Sequence, residues 1–159
     1  MTIRLAEIRD LPELNRIYDS ARQHMRRNGN PTQWADDYPS VALLENDIGN
    51  RQLYVIEENG VHGVFVLANG PDPTYLRIDG EWLSDSPYMV IHRIASDGVC
   101  SGVLASAIRL AKERTGSLRI DTHENNRTMR QLLSGFGFTY CGIIYMENGE
   151  ERLAFQIDF

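Results

Sequence analysis

Residues 88–96 read YMVIHRIAS, the segment that most restricts the folds open to this chain. It is β-branched, apolar and nearly continuous, the pattern of a strand covered on both faces. It therefore predicts a central strand, and its neighbours must supply the cover. Before it, QLYVIEEN and GVHGVFVLAN meet at Asn59-Gly60, the strongest short-range signal for a β-hairpin. After it, SGVLASAIRLAKERTG puts Leu104, Ala107, Ile108 and Ala111 on one face and predicts a helix over 101–115, stopped at Gly116. SLRIDTH is then a strand, and residues 126–135 form a short amphipathic helix opened by Asn125 and Asn126. The closing segment FTYCGIIYMENGEERLAFQIDF is a hairpin turned at Asn148-Gly149.

The N-terminal third adds one strand and two helices. TIRLAEI alternates, with Ile3, Leu5 and Ile8 expected to face inward. Asp10 and Glu13 are spaced as a capping box, and Pro12 lies in the first turn, where its missing N–H costs nothing. Leu11, Leu14, Ile17, Tyr18, Ala21 and Met25 share one helical face. SVALLENDIGN is a second helix ending near Gly49. PDPTYLRIDGEWLSDSP is polar and rich in turn formers, so it is expected to be a long excursion with no regular element. The order β-α-α-β-β-β-α-β-α-β-β predicts an α/β mixed sheet of six to seven strands flanked by about four helices, in one domain over 1–159.

Composition excludes several classes of function. The net charge is −6, which disfavours a nucleic-acid partner, since that needs a basic face. No run of 18 apolar residues is present to span a membrane, and MTIRLAEIRD has no apolar core of a signal peptide. Two cysteines, Cys100 and Cys141, make no disulfide framework. A reducing, cytoplasmic setting is expected. No cluster has metal-ligand spacing, so no metal is expected.

Residues 88–145 carry a resemblance. HENNRTMRQLLSGFGF is similar to the late motif Asn-x-x-Ala-x-x-Leu-Tyr-x-x-x-Gly-Phe of the GNAT superfamily of acyl-CoA-dependent N-acetyltransferases. Asn126, Leu132, Gly137 and Phe138 sit at its spacings, with Met129 in the Ala place and Leu133 in the Tyr place. The element order resembles that family over nearly the whole chain. The resemblance implies a sheet splayed at its two central strands, with the arm of acetyl-CoA lying in the opening. It implies pairing of that arm with the backbone of Ile94, Ala95 and Ser96, and contact at Asn126, which is also a natural helix cap. It implies a pyrophosphate site at SDGVCSGVLASA, formed by backbone N–H groups at a helix start. There Gly98, Val99, Cys100, Ser101, Gly102, Val103 and Leu104 are the candidates. Gly102 matches the family's first Gly. Val99 replaces its Arg or Gln, and Leu104 replaces its second Gly or Ala and must turn inward.

The remaining chemistry concerns protons. Leu133 removes the family's usual acid, and Tyr145, with Tyr140 behind it, is the nearest substitute. His92 and His123 have the pKa suited to a general base acting on an ammonium; Asp121 and Glu124 flank the second. Trp34, Tyr38, Tyr75 and Tyr88, with Trp82, suit an aromatic-walled site for a small-molecule or peptide amine. Leu132, Leu133, Phe136 and Phe138 read as core. The expected function is transfer of the acetyl group of acetyl-CoA to a primary amine. Two alternatives remain: a non-catalytic acyl-CoA-binding module, motivated by the altered loop and Leu133, and a hydrolase using Cys100. A homodimer is compatible with the sequence.

Overall fold

The computed structural model describes residues 1–159. Strands and helices follow in the order β1 (Thr2–Leu5), α1 (Leu11–Arg27), α2 (Val41–Gly49), β2 (Leu53–Glu57), β3 (Val61–Asn69), β4 (Asp79–Gly80), β5 (Met89–Ser96), α3 (Val103–Lys112), β6 (Ser117–Thr122), α4 (Arg127–Gly135), β7 (Thr139–Tyr145) and β8 (Glu151–Asp158). The sheet order is β1-β2-β3-β5-β6-β8-β7-β4. β5 and β6 pair in parallel at Met89–Leu118 and Val90–Arg119, while β6–β8 and β7–β8 are antiparallel. The class is the expected mixed α/β sheet with four helices. It has eight strands rather than six or seven. The extra strand is β4, in the segment read as irregular, whose Asp79 and Gly80 pair with Ile143 and Gly142 of β7. Two residues are too few for any periodicity to show.

The chain forms two compact units. The first contains residues 1–67 and 91–110. Its core is Leu14, Ile17, Tyr18, Leu44, Leu53, Val55, Ile56, Val64, Phe65 and Ala107, all buried. The β2–β3 hairpin turns at Asn59 and Gly60, both at positive φ (56° and 124°), as an Asn-Gly turn requires. Gly63 lets α3 approach β3, since a Cβ there would lie 2.8 Å from Val103 Cγ2. The second unit contains residues 68–90 and 111–159. Its core centres on Tyr75, Val90, Ile144 and Ala154, with Ile78, Trp82, Tyr88 and Met146 packed against them.

Three local expectations are corrected. Asp10 does not cap α1 through its side chain. Its carboxylate is buried beneath Arg4, which donates to both oxygens at 2.8 Å, and it accepts the Glu7 N–H at 2.7 Å. A charge-assisted pair outcompetes a neutral cap. Ile8 is exposed, because residues Ile8–Asp10 form a 3-10 turn rather than an extension of β1. Leu132 and Phe136 are exposed, leaving Leu133 and Phe138 as the buried pair around the end of α4.

Candidate active site

In the first unit, β5 ends at Ser96 and the chain turns through residues 97–102 into α3. Side chains fix the start of this turn. Ser96 Oγ accepts the Gly98 N–H at 3.0 Å, and Asp97 Oδ1 accepts the Val99 N–H at 2.9 Å. Asp97 Oδ2 meets Arg16 Nη1 at 2.9 Å and His62 Nδ1 at 2.7 Å, and its side chain is 3% exposed. Burial alone would push this carboxyl up, but the bonds from His62, Val99 and Arg16 hold it below the usual carboxylate range. Sequence reading missed all three partners. The Ser-Asp-Gly turn signal was visible, but nothing in one dimension brings Arg16 and His62 to it.

The end of the turn differs in kind. Gly98 and Gly102 sit at φ of 83° and 80°. The first α3 hydrogen bond from Ser106 N–H reaches Gly102 O at 2.9 Å. The amides of Val103, Leu104 and Ala105 precede it and have no carbonyl four residues back within the helix. Leu104 is buried, so it turns inward as its replacement of a small residue demanded, and Val103 is buried beside it. Val99 is 71% exposed. No Lys or Arg occurs from Asp97 to Ile108. The turn therefore offers backbone donors and the positive end of a helix dipole, not side-chain cations. Cys100 is buried, and burial, followed by the negative charges of Asp97 and Glu58, pushes its thiol up. It carries little thiolate, which argues against a nucleophile.

Ile94, Ala95 and Ser96 form the last three positions of β5, with Ala95 buried and the other two half-buried. Two positions earlier, His92 is half-buried, more open than a strand interior implied. Arg93 has φ of 47°, a left-handed residue inside a strand. Its carbonyl accepts from Tyr18 Oη at 2.7 Å. Its guanidinium donates to both oxygens of buried Asp47 at 2.9 Å and to Tyr38 Oη at 3.3 Å. Trp34 packs 5.7 Å from Tyr18 and 5.9 Å from Tyr38, ring centre to ring centre. Trp34 and Tyr38 thus belong to one half-buried aromatic cluster, braced by an ion pair the sequence did not reveal.

In the second unit, β6 presents Arg119 and Asp121 on one face, two residues apart. The Arg119 guanidinium is buried between the rings of Trp82 and Tyr88, 3.9 Å from each centroid. Tyr75 packs against both rings at 5.2 and 6.3 Å, and its hydroxyl donates to Asp121 Oδ2 at 2.6 Å. Tyr75 is 2% exposed, and burial, followed by the Asp121 charge, lifts its phenol well above the ordinary range. It is a permanent donor to a half-buried carboxylate. Tyr88 Oη accepts the Asp72 N–H at 2.9 Å. Tyr75 and Tyr88 therefore act as supports in the wall rather than as an open face.

His123 follows β6. Its Nδ1 accepts the Asn125 N–H at 3.0 Å, which places the proton of the neutral ring on Nε2. Burial, then the positive Arg152, pull its pKa down. Neutral His123 in this geometry is a donor, not a base. Asn126 caps α4, its Oδ1 accepting the Met129 N–H at 3.2 Å. Tyr145 ends β7; its hydroxyl donates to Asp79, and Arg77 lies 4.7 Å over its ring. The bond to Asp79, foremost, raises its pKa. Its proton is directed at a carboxylate already in place.

No group of three or more His, Cys, Asp or Glu gathers to hold a metal ion, and no helix is long and apolar enough to cross a membrane. No family model and no curated protein matches the sequence. Solved structures do match. An acetyltransferase of the GNAT family from Streptococcus agalactiae shares 30% identity over 99% of this chain and 95% of its own, with a TM-score of 0.85. A GNAT-family acetyltransferase from Listeria monocytogenes shares 21% identity over 99% and 94%, with a TM-score of 0.73. A ribosomal-protein-alanine N-acetyltransferase from Brucella melitensis has the same fold at 22% identity over 100% of both chains, with a TM-score of 0.64. With the first of these likenesses spanning nearly all of both chains, the protein belongs to the GNAT family of acetyltransferases.

Proposed function

We propose that the chain is an N-acetyltransferase that moves the acetyl group of acetyl-CoA to a primary amine by direct attack. The observation that carries this reading is the turn into α3. Its first three amides are taken, that of Asp97 by His62 O, that of Gly98 by Ser96 Oγ and that of Val99 by Asp97 Oδ1. Cys100 and Ser101 then lead into a left-handed Gly102, and the amides of Val103, Leu104 and Ala105 follow it at a helix start, which suits a pyrophosphate. The backbone of Ile94–Ser96, at the end of β5 beside this turn, suits the pantetheine arm.

In the reaction, the amine nitrogen attacks the thioester carbonyl carbon. The C–N bond forms, the C–S bond breaks, the sulfur leaves with the electron pair, and the attacking nitrogen releases one N–H proton to solvent to give the neutral amide. The amine must first lose an ammonium proton, and at neutral pH only about one alkylamine in 10³ is already neutral. On His123, Nδ1 already accepts the Asn125 N–H, so its lone pair is not open to that proton. The Tyr145 hydroxyl donates to Asp79, which does not favour a proton-transfer role. A thiolate with a pKa near 8–9 leaves without an acid. Trp34 and Tyr38 are the aromatic residues we assign to the amine.

Release of free thiol from acetyl-CoA is measured across polyamines, aminoglycosides, amino acids and peptides. Peptides with N-terminal alanine are included because a protein of similar fold is named for that acceptor. Amine-dependent thiol release, with a mass gain of one acetyl group on the amine, is expected. Tight CoA binding with no turnover on any amine would instead favour the non-catalytic binding module.

A further inference from the structure

Three donors from three parts of the first unit converge on the Asp97 carboxylate: Arg16 on α1, His62 on β3, and the Val99 amide in the turn itself. Two more bonds tie the same place together. Asp97 N–H donates to His62 O at 3.2 Å, and Arg16 Nη2 donates to Val61 O at 2.8 Å. A carboxylate with 3% of its side chain exposed is an unexpected neighbour for a phosphate site. It places negative charge next to where two more are to be bound.

We propose that Asp97 is a positioning residue of the phosphate turn. It draws the Val99 amide inward, so that the chain reverses at Gly98 and the amides from Cys100 onward are left for the anion. Arg16 and His62 anchor the carboxylate to α1 and β3. Arg16 offsets its charge, and is itself shared with Glu13 at 2.9 Å. The arrangement supplies what the turn lacks in its own sequence, where no basic side chain occurs from Asp97 to Ile108. This inference rests on the reading that CoA binds here by its phosphates.

The sign of one substitution separates positioning from simple electrostatics. If Asp97 acted only through its charge, removing it would tighten CoA binding. If it positions the amides, removing it weakens binding. CoA is titrated calorimetrically into the wild type, Asp97→Ala, Asp97→Asn and Arg16→Gln. Exchange of the Val99 amide is followed in the CoA-free proteins. Asp97→Ala is expected to weaken CoA binding by roughly tenfold or more, the worth of one charge-assisted hydrogen bond, and to expose the Val99 amide to exchange. Asp97→Asn keeps an acceptor oxygen and is expected to restore most of both losses. If Asp97→Ala fails to fold, Arg16→Gln gives the same test through a smaller loss in the same direction. Wild-type binding matched or exceeded by Asp97→Ala, or in its absence by Arg16→Gln, overturns the inference while leaving the function intact. A wild type that binds no CoA overturns both.

Discussion

At the scale of single residues, the account turns on which groups still have chemistry to offer. His123 had the right intrinsic pKa and the right neighbours in sequence, yet the Asn125 amide occupies the nitrogen a base would use. Tyr145 offers its proton to Asp79. Asp121, which sequence reading placed only as an escort to His123, is oriented by a buried phenol. Asp121→Asn replaces the charged acceptor of that phenol with a neutral one and is therefore expected to cost about 1 kcal/mol in denaturant unfolding. His123→Gln and Tyr145→Phe should leave the rate and its pH profile in place. An ionisation near pH 6–7 erased by His123→Gln would give the base role to the histidine. Asp47 makes a stability prediction. Its removal leaves the Arg93 guanidinium buried without its anion, so Asp47→Ala should cost about 3 kcal/mol in denaturant unfolding. A loss near zero would mean water reaches that pair.

At the scale of elements, most of the chain was legible. The two Asn-Gly hairpins, the central strand at 89–96, the capped short helix and the inward turn of Leu104 all follow from turn chemistry and periodicity. β4 was not legible, because a two-residue strand is defined by its partner β7 and not by its own pattern. Arg93 was not legible either. A left-handed arginine in a strand is held by Tyr18 and Asp47, residues 75 and 46 positions away. The turn proposed for the phosphates was half legible. Gly102 pointed to it, but the internal use of the Gly98 and Val99 amides depends on folded contacts. Gly102→Asp adds a Cβ at φ of 80° and a negative charge beside the helix start. It is expected to reduce CoA affinity by at least about tenfold, measured by calorimetry, with the melting temperature as the control for folding. Equal affinity in a folded variant would remove the turn from the site.

At the scale of the whole molecule, the family assignment and the proposed reaction rest on different supports. Membership follows from likeness along nearly the whole chain to a GNAT-family acetyltransferase. The reaction depends on whether this particular turn, without a basic side chain, still holds the cofactor. The most direct measurement covers every residue at once: backbone amide shifts of the isotopically labelled protein on addition of CoA. The account predicts the largest shifts at the amides from Cys100 through Ala105 and along Ile94–Ser96, with Val99 less affected because Asp97 already holds it. Largest shifts elsewhere in the chain, or none at millimolar CoA, would contradict it.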